Sequence, residues 1–170
     1  MAKRVFQVPT FTPTATGDAA SALANGTYMA VKGGSGTQKI DVLEIAVSGQ
    51  AGSASPTFLM FARHSTVAIT PTGLAAPASD GPADPATAAL TAPPVTFTAA
   101  ATGPQRSAST SDARLMLQIN AFGGIFRWVA APTMQFGILG NTAQLGESSL
   151  SAYTGGTVGA IGAHIIYEPY

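Results

Sequence analysis

The sequence predicts an all-β fold, a β-sandwich or jelly-roll-like domain, on three observations. Apolar residues arrive in short bursts separated by clusters of Gly, Pro, Ser and Thr, which is the pattern of strands and turns. No stretch keeps the apolar period of a long amphipathic helix. The bursts are spread over 170 residues, a length that suits one domain able to bury a core of its own.

Taken in order, the expected strands are residues 5–8, 27–32, 40–48, 57–64, 95–99, 113–122, 125–130, 136–139 and 163–168, short and numerous as in sandwiches and jelly rolls. Within 113–122, Leu115, Leu117, Ile119 and Ala121 fall on one face and Met116, Gln118, Asn120 and Phe122 on the other, which marks a half-buried strand. Gly123 and Gly124 separate it from 125–130, and glycine tolerates the positive φ of a two-residue turn, so these two strands are expected to pair as a hairpin.

Two regions read differently. Residues 1–26 are expected to form an extended N-terminal arm, with a single helical turn capped by Asp18, ahead of a β-sandwich domain over 27–170. The stretch 71–111 carries Pro71, Pro77, Pro82, Pro85, Pro93, Pro94 and Pro104, which rule out a long helix. It is either a surface excursion or an inter-subunit arm, because compact domains seldom carry idle long loops.

Composition narrows the function classes. Lys and Arg number 8 against 8 Asp and Glu, so no excess field gathers phosphates or anionic lipid, and neither nucleic acid nor membrane is an expected partner. Only 9% of residues are charged, against roughly 25% in an average soluble domain, a surface that favours association and suits a subunit of an assembly. There is no cysteine, so the fold must hold without disulfides. Pro9 and a polar run follow the basic Lys3 and Arg4 where a secretory signal would need an apolar stretch, and no apolar run approaches the roughly 20 residues of a membrane span. The chain is therefore expected to be made and kept in a cytoplasm until something releases it.

Each chemical motif is weaker than its structural reading. Gly33, Gly34, Ser35, Gly36 and Thr37 lack the Gly-Lys-Ser/Thr of a phosphate loop and lead into a strand, so they are read as a turn; Thr37 also breaks a nucleophile elbow at Ser35. His64 and His164 have no second His or carboxylate at ligand spacing and are read as ordinary strand residues. Asp80 and Asp84 lack the alternating donors of a calcium loop, and Asn25-Gly26-Thr27, a sequon without a secretory signal, is read as a turn before a strand. Trp128, with Phe122, Phe126 and Arg127, suggests either a stacking platform or a core or interface aromatic cluster; the latter is preferred, because Phe58, Phe61, Phe97 and Phe136 are similarly placed on strands. Arg63, Arg114 and Arg127 each interrupt an apolar strand, as interfacial ion pairs do, but their carboxylate partners cannot be read from sequence. The chain is thus expected not to be an enzyme, with no catalytic residue, metal ligand or cofactor.

Three segments, 6–18 (FQVPTFTPTATGD), 122–132 (FGGIFRWVAAP) and 146–153 (GESSLSAY), resemble small virion proteins of tailed bacteriophages, and the likeness, which extends loosely from end to end, is to capsid decoration, or cement, proteins. The resemblance implies a β-sandwich subunit, commonly trimeric, bound outside an icosahedral shell with the major capsid protein as its partner. No binding residue transfers, because these proteins vary in how they grip the shell. The physical expectation is that the segment from Lys3 to Phe11 and the Pro-rich excursion reach neighbours or the shell by strand addition, with Val5, Phe6, Val8 and Phe11 as the contact residues. The alternatives are another virion part, such as a head fibre base, neck or tail protein, and a carbohydrate-binding β-sandwich module.

Overall fold

The computed structural model describes residues 5–9, 24–32, 39–63, 70–72, 81–82, 99–102, 113–138, 147–153 and 159–169. Every element among them is a strand. In chain order these are β1 (Phe6–Pro9), β2 (Ala24–Lys32), β3 (Ile40–Gly49), β4 (Pro56–Arg63), β5 (Thr70–Thr72) and β6 (Gly81–Pro82). There follow β7 (Ala99–Thr102), β8 (Ala113–Asn120), β9 (Ile125–Val129), β10 (Phe136–Ile138), β11 (Glu147–Tyr153) and β12 (Ile161–Pro169). The all-β expectation therefore holds.

Two antiparallel sheets share the core. The six-stranded sheet has the order β10-β3-β12-β1-β6, with β9 also pairing β3, and the four-stranded sheet has the order β2-β11-β4-β8. A separate pair joins β5 to β7. β9 and β10 run along the same edge of β3, Val129 opposite Glu44 and Phe136 opposite Val42. Between them residues 131–135 loop out, with Met134 N–H donating to the Ala131 carbonyl and Thr133 at a φ of 67°, a left-handed conformation unusual for a β-branched residue.

The core follows from period-two alternation. On β12, Ile161, Ala163, Ile165 and Tyr167 point inward, and on β8 Ile119 is buried while Met116 and Gln118 are exposed, as the sequence predicts. They join Ile40, Val42, Ile45 and Val47 of β3, Tyr28, Met29 and Val31 of β2, Leu59 and Phe61 of β4 and Leu150 of β11 in one buried cluster. On β3 the alternation changes phase. The register against β12 shifts between Ile166, opposite Glu44, and Tyr167, opposite Val42, which leaves Leu43 as an extra residue. This bulge lets Val42 and Ile45 both face the core and turns Glu44 to the outer face with Ala46 and Ser48.

Cross-sheet ties complete the core. Trp128 stacks on Phe136 with centroids 4.2 Å apart, and Phe136 stacks on Phe61 of the other sheet at 5.9 Å. The Gly159 backbone, just before β12, is held by the four-stranded sheet at both ends: the Tyr28 hydroxyl donates to its carbonyl, and its N–H donates to the buried Thr57 hydroxyl.

The structure corrects several expectations. β8 and β9 do not form a hairpin; β8 pairs β4 in one sheet and β9 pairs β3 in the other. Gly123, at φ 76°, makes the turn that the two glycines announce, but Gly124 N–H donates to the Asn120 carbonyl, closing an α-turn rather than a two-residue one. The Asn120 side chain accepts from Ser55 N–H and Phe122 N–H, and Ala121 is bonded to Ser55 and Ala51, so the chain is steered across the edge between the sheets. Asn25, Gly26 and Thr27 lie inside β2 rather than in a turn before it, Gly26 falling where its register against β11 is irregular. β11 is an additional strand, and so are β5, β6 and β7 in or beside the Pro-rich stretch, of which β6 pairs with β1. Within the region read as an arm, β1 is an integral strand between β12 and β6. The helical turn at Asp18, the turn at 33–37 and, of the expected strand over 95–99, all but Ala99, where β7 begins, lie outside the described residues.

Candidate functional site

The most polar convergence among the described residues lies on the outer face of the six-stranded sheet. Ala46 of β3 is opposite Arg127 on β9 and His164 on β12, so the two side chains straddle a methyl group and reach diagonally to Glu44. Arg127 Nε donates to Glu44 Oε1 at 2.9 Å and Nη2 to Oε2 at 2.7 Å, a bidentate pair; His164 Nε2 lies 3.3 Å from Oε1. The bulge at Leu43 makes this possible, since an unbroken alternation from Val42 would turn Glu44 into the core.

The hydrogen bond from Arg127 holds the Glu44 carboxyl below its ordinary value of 4.5, against burial, which pushes it up, and with smaller help from His164. Glu44 in turn raises the Arg127 guanidinium. A carboxylate so held stays charged at neutral pH and exchanges no proton there, so its chemistry is that of a clamp across three strands rather than a general acid.

Beside the clamp an open groove of about 340 Å³ is lined by Ala46, Ser48, Gln50, Ile125, Gly162 and His164. A second, of about 360 Å³, lies where the ends of β4, β8 and β10 meet, lined by Arg63, Arg114, Thr133, Met134, Gln135 and Phe136. Arg63 Nη2 donates to the Gly137 carbonyl at 3.4 Å, which ties this corner together.

Of the residues expected to touch a partner, Phe6 is instead fully buried in the chain's own core, stacked on Tyr167 at 5.7 Å. Apolar residues at alternate positions near a terminus look alike whether they serve a core or a contact. Val5 is half-buried, Val8 pairs with Ile165, and Phe11 lies outside the described residues, as do His64, Asp80 and Asp84. Among the described residues no stacking platform assembles around Trp128: one face of its ring is spent on Phe136, Arg127 projects from the opposite face of β9, and Phe122 stands 59% exposed in the turn. Arg127, read as an interfacial cation, finds its carboxylate within the chain. His164 acquires the carboxylate that its sequence neighbourhood lacks, because β3 and β12 are adjacent strands; no local signal marks the pair.

No known family model, curated protein or solved structure matches this chain.

Proposed function

We propose that the chain is a structural subunit of a tailed-bacteriophage virion, a decoration or cement protein that binds the outside of the icosahedral capsid and stabilises it without catalysis. In this reading the two sheets form a jelly-roll-like sandwich, the subunits assemble as trimers and the partner is the major capsid protein. The observation that carries it is a surface poor in charge yet furnished with large apolar groups: 9% of residues are charged, and among the described residues five large apolar side chains are 53–83% exposed. Such a surface is a liability for a free monomer and an asset for a subunit. A protein that binds only the assembled lattice stabilises it by mass action, and many copies multiply a modest interface.

The test is the copy number of the chain relative to the major capsid protein in purified particles, by quantitative mass spectrometry. A ratio near one supports a decoration protein. A handful of copies moves it to the neck, tail or fibres, and complete absence ends the virion reading.

A further inference from the structure

Among the described residues the five exposed large apolar side chains fall in one stretch of chain: Met116, Phe122, Ile125, Val129 and Met134. That stretch follows β8, the edge of the four-stranded sheet, crosses at the α-turn and returns along β9, the edge of the six-stranded sheet. Among the described residues no strand pairs with the outer side of β9. Its backbone polarity there follows from two flanking bonds, Gly49 N–H to the Gly124 carbonyl and Ala130 N–H to the Leu43 carbonyl. In an antiparallel ladder bonded pairs alternate, so residues 124, 126, 128 and 130 face β3, and Ile125, Arg127 and Val129 direct their N–H and C=O groups to the open side.

Natural edges are commonly blunted by charge, proline or covering structure. On β9 the one charge, Arg127, is neutralised by Glu44 and flanked by Ile125, 83% exposed, and Val129, 55% exposed. The chemistry of the surroundings restricts the occupant further. Residues 113–138 contain two arginines and no acidic residue, and the pocket beside β10 sets Arg114 with Arg63 and the exposed Met134. Among the described residues Arg114 has no ion pair.

We infer that the β9 edge is a strand-addition site for an extended, apolar segment of a partner protein that carries an acidic side chain, the carboxylate seating against Arg114 and Arg63. The inference rests on the decoration reading, in which that partner is the capsid protein. Backbone hydrogen bonds to Ile125, Arg127 and Val129 supply the affinity, and the apolar rows with the two guanidinium groups supply the selection.

The experiment uses undecorated shells and the full chain. Ile125→Lys with Val129→Lys places charge on the edge at exposed positions, and is expected to weaken co-sedimentation with shells about tenfold or more while leaving the melting temperature unchanged. Arg114→Glu is expected to weaken it as well. Hydrogen exchange read on the peptide spanning 122–130 should slow on shells relative to the free protein. Wild-type binding that the double lysine variant matches, with equal exchange in that peptide free and bound, overturns this inference alone. Wild-type protein that does not bind shells removes the decoration reading and this inference with it.

Discussion

The Arg127 side chain, 65% exposed, grips the Glu44 carboxylate, 10% exposed, through two parallel hydrogen bonds. The two partners therefore have unequal alternatives. Freed of Glu44, the guanidinium returns to water; deprived of Arg127, a carboxylate sheltered on the sheet keeps only His164.

Arg127→Ala is accordingly expected to lower the urea unfolding midpoint more than Glu44→Gln does. The pair also has an acid signature. Because the folded-state carboxyl is held below its ordinary value of 4.5, its contribution to stability is present above that pH and is lost as pH falls through the folded value. The difference in unfolding free energy between wild type and Glu44→Gln should shrink between neutral pH and strong acid. A constant difference would show that the clamp does not hold.

Phe6 sets a second expectation. Phe6→Ala should cost about 3–5 kcal/mol in urea unfolding, the range for emptying a buried aromatic site. Deletion of residues 2–11 removes β1 from between β12 and β6, and should unfold the protein rather than trim an arm. A truncated chain with an unchanged melting curve would refute this placement of β1.

Tyr28 gives the alkaline counterpart. Its hydroxyl donates to the Gly159 carbonyl, and burial pushes its ionisation up from the ordinary 10.0. Stability from this group is complete below that pH and is lost as pH rises above it. Tyr28→Phe should cost about 1–2 kcal/mol at neutral pH and flatten the alkaline loss, measured by urea unfolding across pH.

Two glycines separate close backbone approach from close side-chain approach. A Cβ at Gly49 would lie 2.2 Å from the Ala121 carbonyl oxygen, a backbone atom fixed by its hydrogen bond to Ala51. One at Gly162 would lie 2.5 Å from Gln50 Nε2, the movable end of a long side chain. Gly49→Ala should therefore cost about 1–3 kcal/mol, and Gly162→Ala clearly less, in parallel thermal melts.

The sequence is most informative where alternation is strong. β12 and β8 show which residues face inward, and β3 shows its bounds almost to the residue. β11 escapes notice because Ser148, Ser149 and Ser151 interrupt a pattern carried only by Leu150, Ala152 and Tyr153. The Gly123 turn is legible, but its direction is not: whether β8 and β9 pair depends on Asn120 meeting Ser55, a contact between residues 65 positions apart. The same holds for Glu44 and His164, separated by 120 positions and joined only by the sheet order. Arg127 is visible as an anomalous charge on an apolar strand; its partner is a property of topology.

The single extra residue at Leu43 gives β3 two reading frames, one for Ile40 and Val42 and another for Ile45 and Val47. Were the ladder to run through residue 43 without the bulge, Glu44 would face the interior and Ile45 and Val47 the water, dismantling core and clamp together, whereas removing residue 43 restores plain alternation with Val42 and Ile45 inward and Glu44 outward. Position 43 therefore carries the bulge itself rather than a side chain that the core or the clamp requires.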